Sequence, residues 1–365
     1  NTSPNGAWPT FHRSGNEDRT IAVTLHQAGY RTGLVGKYIN HFGIAAPEGY
    51  VPPGWDTFLT YDPTGGYYDY GLSDGTWYGS DPADYSTDVF AKRAVNFIDT
   101  APADKPLFLY FAPLAPHAPY TPAPRWVDFY RGKLPSYHPS SVVEDISDKP
   151  AWVRMHTSPL KQAHIDYLQR IQAESLMAVD DAVGNLVAEL KAKNRMSNTL
   201  FLYLSDNGYL WGDHWLKGKS TPYRFSTSIP MIARWDGRLP ADQKDSRLAL
   251  NVDLARTIAT AAGAEGPPTD GLDLFGDTRR NAFLLEAEPG SIADDQNGRP
   301  AYCGWRNARW LYVRYATREE ELYSYRSDPN ELHNLARNPA YHNNLTRFRQ
   351  ITGSHCLPVP PSFAW

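Results

Sequence analysis

Three short apolar runs constrain the fold most. They are Leu107-Phe-Leu-Tyr-Phe111, Thr199-Leu-Phe-Leu-Tyr-Leu204 and Pro230-Met-Ile-Ala-Arg234. None alternates apolar with polar, as a strand with one wet face does. A continuously apolar strand belongs to a sheet covered on both faces. The segments between them have helical spacing. Leu168, Ile171, Leu176, Val179, Val183, Leu186 and Leu190 predict a long helix over 160–193. Ala91, Ala94, Val95 and Ile98 predict another over 88–99, capped by Ser86 or Thr87. Ser14-Gly-Asn-Glu17 reads as a capping box opening a helix over 18–28, which Gly29 closes. A strand over 32–38 follows, ending in Gly36-Lys37, and a further helix is expected over 251–262. Residues 42–84, rich in Gly, Pro, Tyr and Asp, show no period and read as a long structured loop of the kind that lines a site. Strands alternating with helices predict an α/β fold on a parallel or mostly parallel sheet. After about residue 295 the pattern changes to a small antiparallel sheet (301–306, 309–315, 321–326) and a helix near 339–351. The expected division is therefore 1–294 and 295–365.

Composition excludes several functions. Lys and Arg number 36 against 40 Asp and Glu, a net charge of −4, so no basic face advertises nucleic-acid or anionic-membrane binding. The longest apolar stretch, 106–116, is far short of the roughly 20 residues that span a bilayer. No nucleic-acid partner and no membrane span are expected. The aromatic content, with 11 Trp and 23 Tyr, suits stacking platforms for carbohydrate, or simply aromatic packing. The two cysteines, Cys303 and Cys356, can make one bridge pinning the C-terminal tail or remain two buried thiols. Sequons stand at Asn1-Thr2-Ser3 and Asn344-Leu345-Thr346, and the chain begins without Met. These features lean toward a secreted, periplasmic or lysosomal protein.

In such sheets functional groups gather beyond the carboxyl ends of the strands. Those positions hold Lys37, His117, and Asp206 with Asn207. Asp206-Asn207 offers a carboxylate and an amide oxygen of the type a hard cation takes, although Asp-Asn-Gly is also a common turn. His117, between Pro116 and Pro119, sits in a stiff segment that holds an imidazole in place. Lys217, Lys219 and His214 follow in the next loop. Cations around an oxygen-lined site, with a histidine to move protons, suit a tetrahedral oxyanion. The residues thus point to phosphate- or sulfate-ester chemistry. Asp180 and Asp181, adjacent on the long helix, point in different directions and read as structural.

The ordered motifs resemble the sulfatase family over about residues 10–340. Gly29-Tyr-Arg-Thr-Gly-Leu-Val-Gly-Lys37-Tyr resembles its second signature. Tyr85-Ser-Thr-Asp88, Pro106-Leu-Phe-Leu-Tyr-Phe and Pro116-His-Ala-Pro119 are similar to its middle section. Val179-Asp-Asp-Ala-Val-Gly184, Ser205-Asp-Asn-Gly-Tyr209, Gly212-Asp-His214 and Lys217-Gly-Lys-Ser-Thr-Pro-Tyr223 resemble its metal-and-lysine section. Asp270-Gly-Leu-Asp-Leu274 and 322–332 look like its C-terminal elements. Pro9-Thr-Phe-His-Arg-Ser-Gly15 and Gly36-Lys-Tyr-Ile-Asn40 resemble glucosamine-6-sulfatases and the related extracellular heparan endosulfatases. The resemblance implies an alkaline-phosphatase-like fold, a large α/β domain with a small C-terminal antiparallel sheet. It implies that Asp206 and Asn207 are ligands of Ca²⁺, and that Lys37 and Lys219 hold the sulfate oxygens. His117 would face the leaving-group oxygen as proton donor or hydrogen-bond partner, with His214 and Asn40 on the substrate side. The substrate would be a sulfated carbohydrate or an aryl sulfate.

Two departures stand out. The histidine usual two residues after the signature lysine is Ile39 here, as in glucosamine-6-sulfatase-like members. The family's nucleophile is a formylglycine made in a Cys/Ser-x-Pro/Ala-x-Arg motif upstream of that signature, alongside the acidic pair that completes the calcium site and the first strand of the sheet. Neither cysteine here, in Tyr302-Cys-Gly-Trp305 or His355-Cys-Leu-Pro358, matches that motif. The expectation is a chain inactive without that upstream segment, which is either a cleaved but retained N-terminal fragment, then a partner of this chain, or a stretch that the sequence in hand does not include. A noncatalytic sulfated-glycan binder and a phosphoester or phosphonate hydrolase of the same superfamily are the alternatives.

Overall fold

The computed structural model describes residues 7–63, 65–156, 158–290 and 298–365. The sequon at Asn1 and the expected boundary at 294/295 lie outside these residues. After a short helix over Ala7–Arg13, which the sequence did not suggest, the helix expected over 18–28, α1 (Ile21–Gln27), begins later than the sequence suggests. Thr20 is its cap, its hydroxyl accepting from the Val23 N–H. Ser14 and Glu17 form no capping box. Gly15 stands in the left-handed region with no side-chain cap, and the Glu17 carboxylate is turned inward. There it accepts from Trp8 Nε1 and the Tyr50 hydroxyl, both at 2.6 Å. A buried carboxylate needs donors, and two aromatic donors outcompete a helix N-terminus.

Strand β1 (Arg31–Gly36) is followed by the loop-rich stretch, which contributes a three-residue strand β2 (Thr57–Leu59). A strand that short has no readable period. Then come α2 (Ser86–Asp99) and β3 (Leu107–Ala112). Helix α2 starts at Ser86 itself with Tyr85 at the N-cap, so neither Ser86 nor Thr87 caps it. The long helix α3 (Gln162–Ala192) leads to β4 (Leu200–Leu204) and β5 (Met231–Trp235), and α4 (Asp253–Ala262) follows. β2, β1 and β3 form a parallel sheet. β4 pairs with β5 antiparallel, and two-residue antiparallel pairs join Tyr70–Gly71 to Trp77–Tyr78 and Leu210–Trp211 to Lys217–Gly218, so the main body is not purely parallel. Both sheet pieces rest on one apolar layer, where Phe90, Ala94, Phe97, Leu186 and Leu190 meet Leu107, Leu109, Phe111 and Phe201.

The full coverage expected of the apolar strands is not reached. Every residue of β4 is only partly buried, and Tyr110 of β3 is 52% exposed. The topology supplies the reason. Among the described residues β3 pairs only with β1 and β4 only with β5, so each keeps one open edge.

The C-terminal sheet is four-stranded and antiparallel, in the order β6 (Ala282–Ala287), β7 (Tyr302–Asn307), β8 (Trp310–Tyr315), β9 (Glu320–Ser324). Its first strand therefore precedes the boundary read from the sequence. Helix α5 (His342–His355) packs on it through Leu345 and Phe348. Cys303 and Cys356 are disulfide-bonded, which settles the open pairing and ties β7 to the end of that helix. Closing a loop across a separation of 53 residues is worth about 4 kcal/mol on chain-entropy reasoning.

Candidate active site

The site is assembled where three strands end. β1 stops at Gly36 with φ 127°, and a Cβ there would lie 2.1 Å from the Ala112 carbonyl oxygen. Only glycine lets the neighbouring strand ends approach this closely. Lys37 then donates its backbone N–H to Ala112 (2.7 Å), which fixes where its half-buried side chain starts. β3 runs on into the 113–121 loop, where the His117 N–H donates to the Leu114 carbonyl (2.8 Å). The His117 ring is exposed, with Nδ1 3.0 Å from the Ala118 carbonyl oxygen. Beyond β4, the Ser205 hydroxyl donates to the Asn207 carbonyl (3.0 Å), and the Gly208 N–H donates to Ser226 (3.0 Å). A Cβ on Gly208 would lie 2.1 Å from the Phe225 carbonyl oxygen, so glycine again permits the turn. Lys219 returns to this turn and donates from Nζ to Asn207 Oδ1 (3.1 Å).

Electrostatics bind these groups into one site. Burial, and then the Lys219 ammonium, push the Lys37 pKa below the usual lysine value, against the opposing pull of Asp206. Partial burial also lowers the His117 pKa, with Lys219 and Lys37 adding to it, while the Ala118 carbonyl and Asp206 act the other way. Two ammonium groups and an imidazole that feel one another, with one exposed carboxylate, make a cationic site open to solvent. An anion there relieves the lysine–lysine repulsion, and that repulsion is the force available for holding one.

Asn40 lies just past Lys37, half-buried, with its backbone carbonyl accepting from the Trp8 N–H (3.1 Å). His214 does not join the group. Its side chain is 0% exposed and its Nδ1 lies 2.5 Å from Glu144 Oε1, with Glu331 3.8 Å from Nε2. It belongs to a buried ionic cluster facing the C-terminal sheet, so the substrate-side place the resemblance gave it is corrected. Two neighbouring charges, Glu144 and Glu331, outweigh its desolvation and raise its pKa to about 9. Asp181 is structural as read, accepting from Arg125 and from Trp126 Nε1 (2.8 Å).

For calcium the described residues offer little. Asp206 and the Asn207 amide oxygen supply two of the six to eight oxygens the ion takes, and Asn207 Oδ1 already accepts from Lys219. No group of three or more His, Cys, Asp or Glu side chains suited to a metal occurs among the described residues. These residues alone do not build a calcium shell. Both cysteines are held in the disulfide, so neither is a source of a nucleophile.

Sequence reasoning missed the tyrosines that hold this site. The Tyr67 hydroxyl donates to the His117 carbonyl (2.7 Å) and that of Tyr85 to the Thr121 carbonyl (2.8 Å). Tyr120 and Tyr209 meet through their hydroxyls at 2.9 Å. The aromatic bias was the only signal for them, and it carried no positions.

The fold and site define a class, an α/β protein with a cationic site at its strand ends. The chain belongs to the sulfatase family, whose model, described as Sulfatase, matches residues 1–264. It is 31% identical to an arylsulfatase of Volvox carteri over 400 residues, covering 91% of this chain and 60% of that protein. It is also 31% identical over 252 residues to an N-acetylglucosamine-6-sulfatase of Capra hircus, covering 66% of this chain and 45% of that one. The chain therefore spans about half the length of these relatives. Among solved structures it shares its fold with BT4656 in complex with its substrate D-glucosamine-2-N,6-O-disulfate. That likeness has a TM-score of 0.80 at 21% identity, over 95% of this chain and 85% of that one. The alkaline-phosphatase-like α/β fold expected from the resemblance is the fold observed.

Proposed function

We propose that this chain forms the sulfate-holding body of an enzyme that hydrolyses a sulfate ester on a sulfated sugar. The observation that carries the reading is the convergence of Lys37, His117, Asp206 and Lys219, from separate loops, on one mutually interacting cationic site. Lys37 and Lys219 hold the non-bridging sulfate oxygens and stabilise the charge that builds on them. His117 faces the leaving-group oxygen and delivers or shares the proton that oxygen needs. Asn40 contacts the sugar side. Asp206 and Asn207 would contribute two oxygens to a Ca²⁺ shell completed from outside the described residues, and the bound ion would help neutralise the sulfate oxygens. A formylglycine, on a segment of the same chain or on a cleaved N-terminal fragment, would supply the attacking oxygen. The open edges of β3 and β4 are compatible with a further strand entering from such a segment. A secreted, periplasmic or lysosomal location suits the Cys303–Cys356 bridge, since disulfides persist in oxidising compartments.

The test is release of sulfate from N-acetylglucosamine 6-sulfate and from 4-nitrophenyl sulfate by the complete protein, with 4-nitrophenyl phosphate as control. Sulfate release that exceeds phosphate release is the expected outcome. Tight binding of sulfated oligosaccharide without any release identifies a glycan-binding relative instead. Preference for the phosphate ester moves the chain to the phosphoester branch of the superfamily.

A further inference from the structure

His117 is exposed, yet the loop carrying it is tied at several points. Its carbonyl oxygen accepts two bonds, from the Tyr67 hydroxyl (2.7 Å) and from the Tyr120 N–H (3.0 Å). Tyr67 is 3% exposed, and its hydroxyl oxygen also accepts from Ser175 on α3 (3.3 Å). Its ring stacks on that of Tyr85 at 5.6 Å, and Tyr85 holds the Thr121 carbonyl at the other end of the loop. Burial pushes the Tyr85 pKa up to about 12, and that of Tyr67 is raised as well, so both remain donors across the physiological range. Below the loop these rings pack with Ala115, Ala123, Ala178 and Val179 in one apolar cluster. Above it, the Tyr120 hydroxyl meets that of Tyr209, two residues beyond Asn207. Two hydroxyls therefore pin the backbone from the core, and a third contact ties it across to the turn that Lys219 holds.

We propose that Tyr67 and Tyr209 are positioning residues for His117, fixing its imidazole relative to the Lys37–Lys219 pair through the His117 carbonyl and the Tyr120 hydroxyl. The proposal rests on the reading of His117 as the group at the leaving oxygen. Neither tyrosine is placed against the substrate. Their effect is to keep the imidazole from sampling positions where it no longer reaches the reacting atom, because a misplacement of about 1 Å can cost up to about a hundredfold in rate. Removing a hydroxyl and keeping the ring isolates this effect from packing.

The test uses the complete protein with 4-nitrophenyl sulfate as probe. Tyr67→Phe is expected to lower kcat about tenfold and Tyr209→Phe by less, each with KM within twofold of wild type. In a His117→Ala background Tyr67→Phe is expected to cost nothing further, because the group it positions is gone. Deuterium uptake by the 113–121 segment is expected to rise in Tyr67→Phe. An unchanged kcat in Tyr67→Phe overturns the proposal, as does a tenfold loss that persists without His117, which marks a structural role. Wild-type protein that releases no sulfate overturns the sulfatase reading instead, and the two failures are separate observations.

Discussion

Two clusters of histidine, lysine and carboxylate among the described residues behave in opposite ways. At the strand ends, Lys37, Lys219 and His117 outnumber the single exposed carboxylate of Asp206. At the junction with the C-terminal sheet, His214 and Lys149 are enclosed by Glu144, Asp148 and Glu331. Lys149 is buried and also donates to the Glu331 and Leu332 carbonyls at 2.9 and 2.7 Å. Glu321 nearby is fully buried and accepts from the hydroxyls of Tyr223, Tyr315 and Tyr323. The buried cluster is closed upon itself, because a charge out of water must find partners within the protein. The strand-end cluster holds more cations than carboxylates, so an anion can supply the missing counter-charge. The two histidines report the difference, with His117 held below the ordinary imidazole value and His214 raised to about 9.

The largest effect that sharpens this contrast is on stability. His214→Gln is expected to cost about 3–5 kcal/mol, because Glu144 and Glu331 lose a buried counter-charge. Denaturant unfolding measures it. A change under 1 kcal/mol would break the comparison by making the cluster dispensable. Lys219→Ala is expected to lower kcat by two to three powers of ten, about 3–4 kcal/mol in the transition state, as for a lost oxyanion donor. Its midpoint of unfolding should stay close to wild type, since the ammonium is only partly buried and donates to one side-chain amide. Turnover at wild-type level would remove Lys219 from the site.

The smaller effects are in pH, and the two histidines predict opposite windows. The folded-state pKa of His214 lies above its unfolded value, so its contribution to stability is complete below about 6.5 and is lost as pH rises through about 9. The difference in melting temperature between wild type and His214→Gln should therefore shrink between those values. For His117 the shift is downward. If the protonated imidazole donates to the leaving group, kcat/KM falls as pH rises through a value below 6.5. His117→Gln should flatten that limb, and a limb that survives the substitution belongs to another group.

Much of the framework was legible in advance. The 3.6-residue spacing located α3 to within a few residues, and the apolar runs located β3 and β4. Gly36-Lys37 and Asp206-Asn207 stood out because they follow the carboxyl ends of apolar strands, where an α/β sheet gathers its functional groups. The Ser14–Glu17 pattern misled because the same carboxylate that can cap a helix can also be taken inward by Trp8 and Tyr50. His214 misled in the same way. A motif gives the residue type, and burial gives the role.

What the sequence determined by itself is therefore periodic or local: which segments are helices, which strands are apolar, and which polar residues stand where strands stop. These follow from side-chain spacing along one element and need no knowledge of its neighbours. The tertiary structure alone decided the rest. It joined Cys303 to Cys356 and recruited β6 into the C-terminal sheet. It set β5 antiparallel to β4, and it brought Tyr67 to the His117 carbonyl, 50 residues away in sequence. It also separated two histidines with identical chemistry into one at the surface and one in the core. Contacts across tens of residues are selected by the packing of whole layers, which no local pattern records.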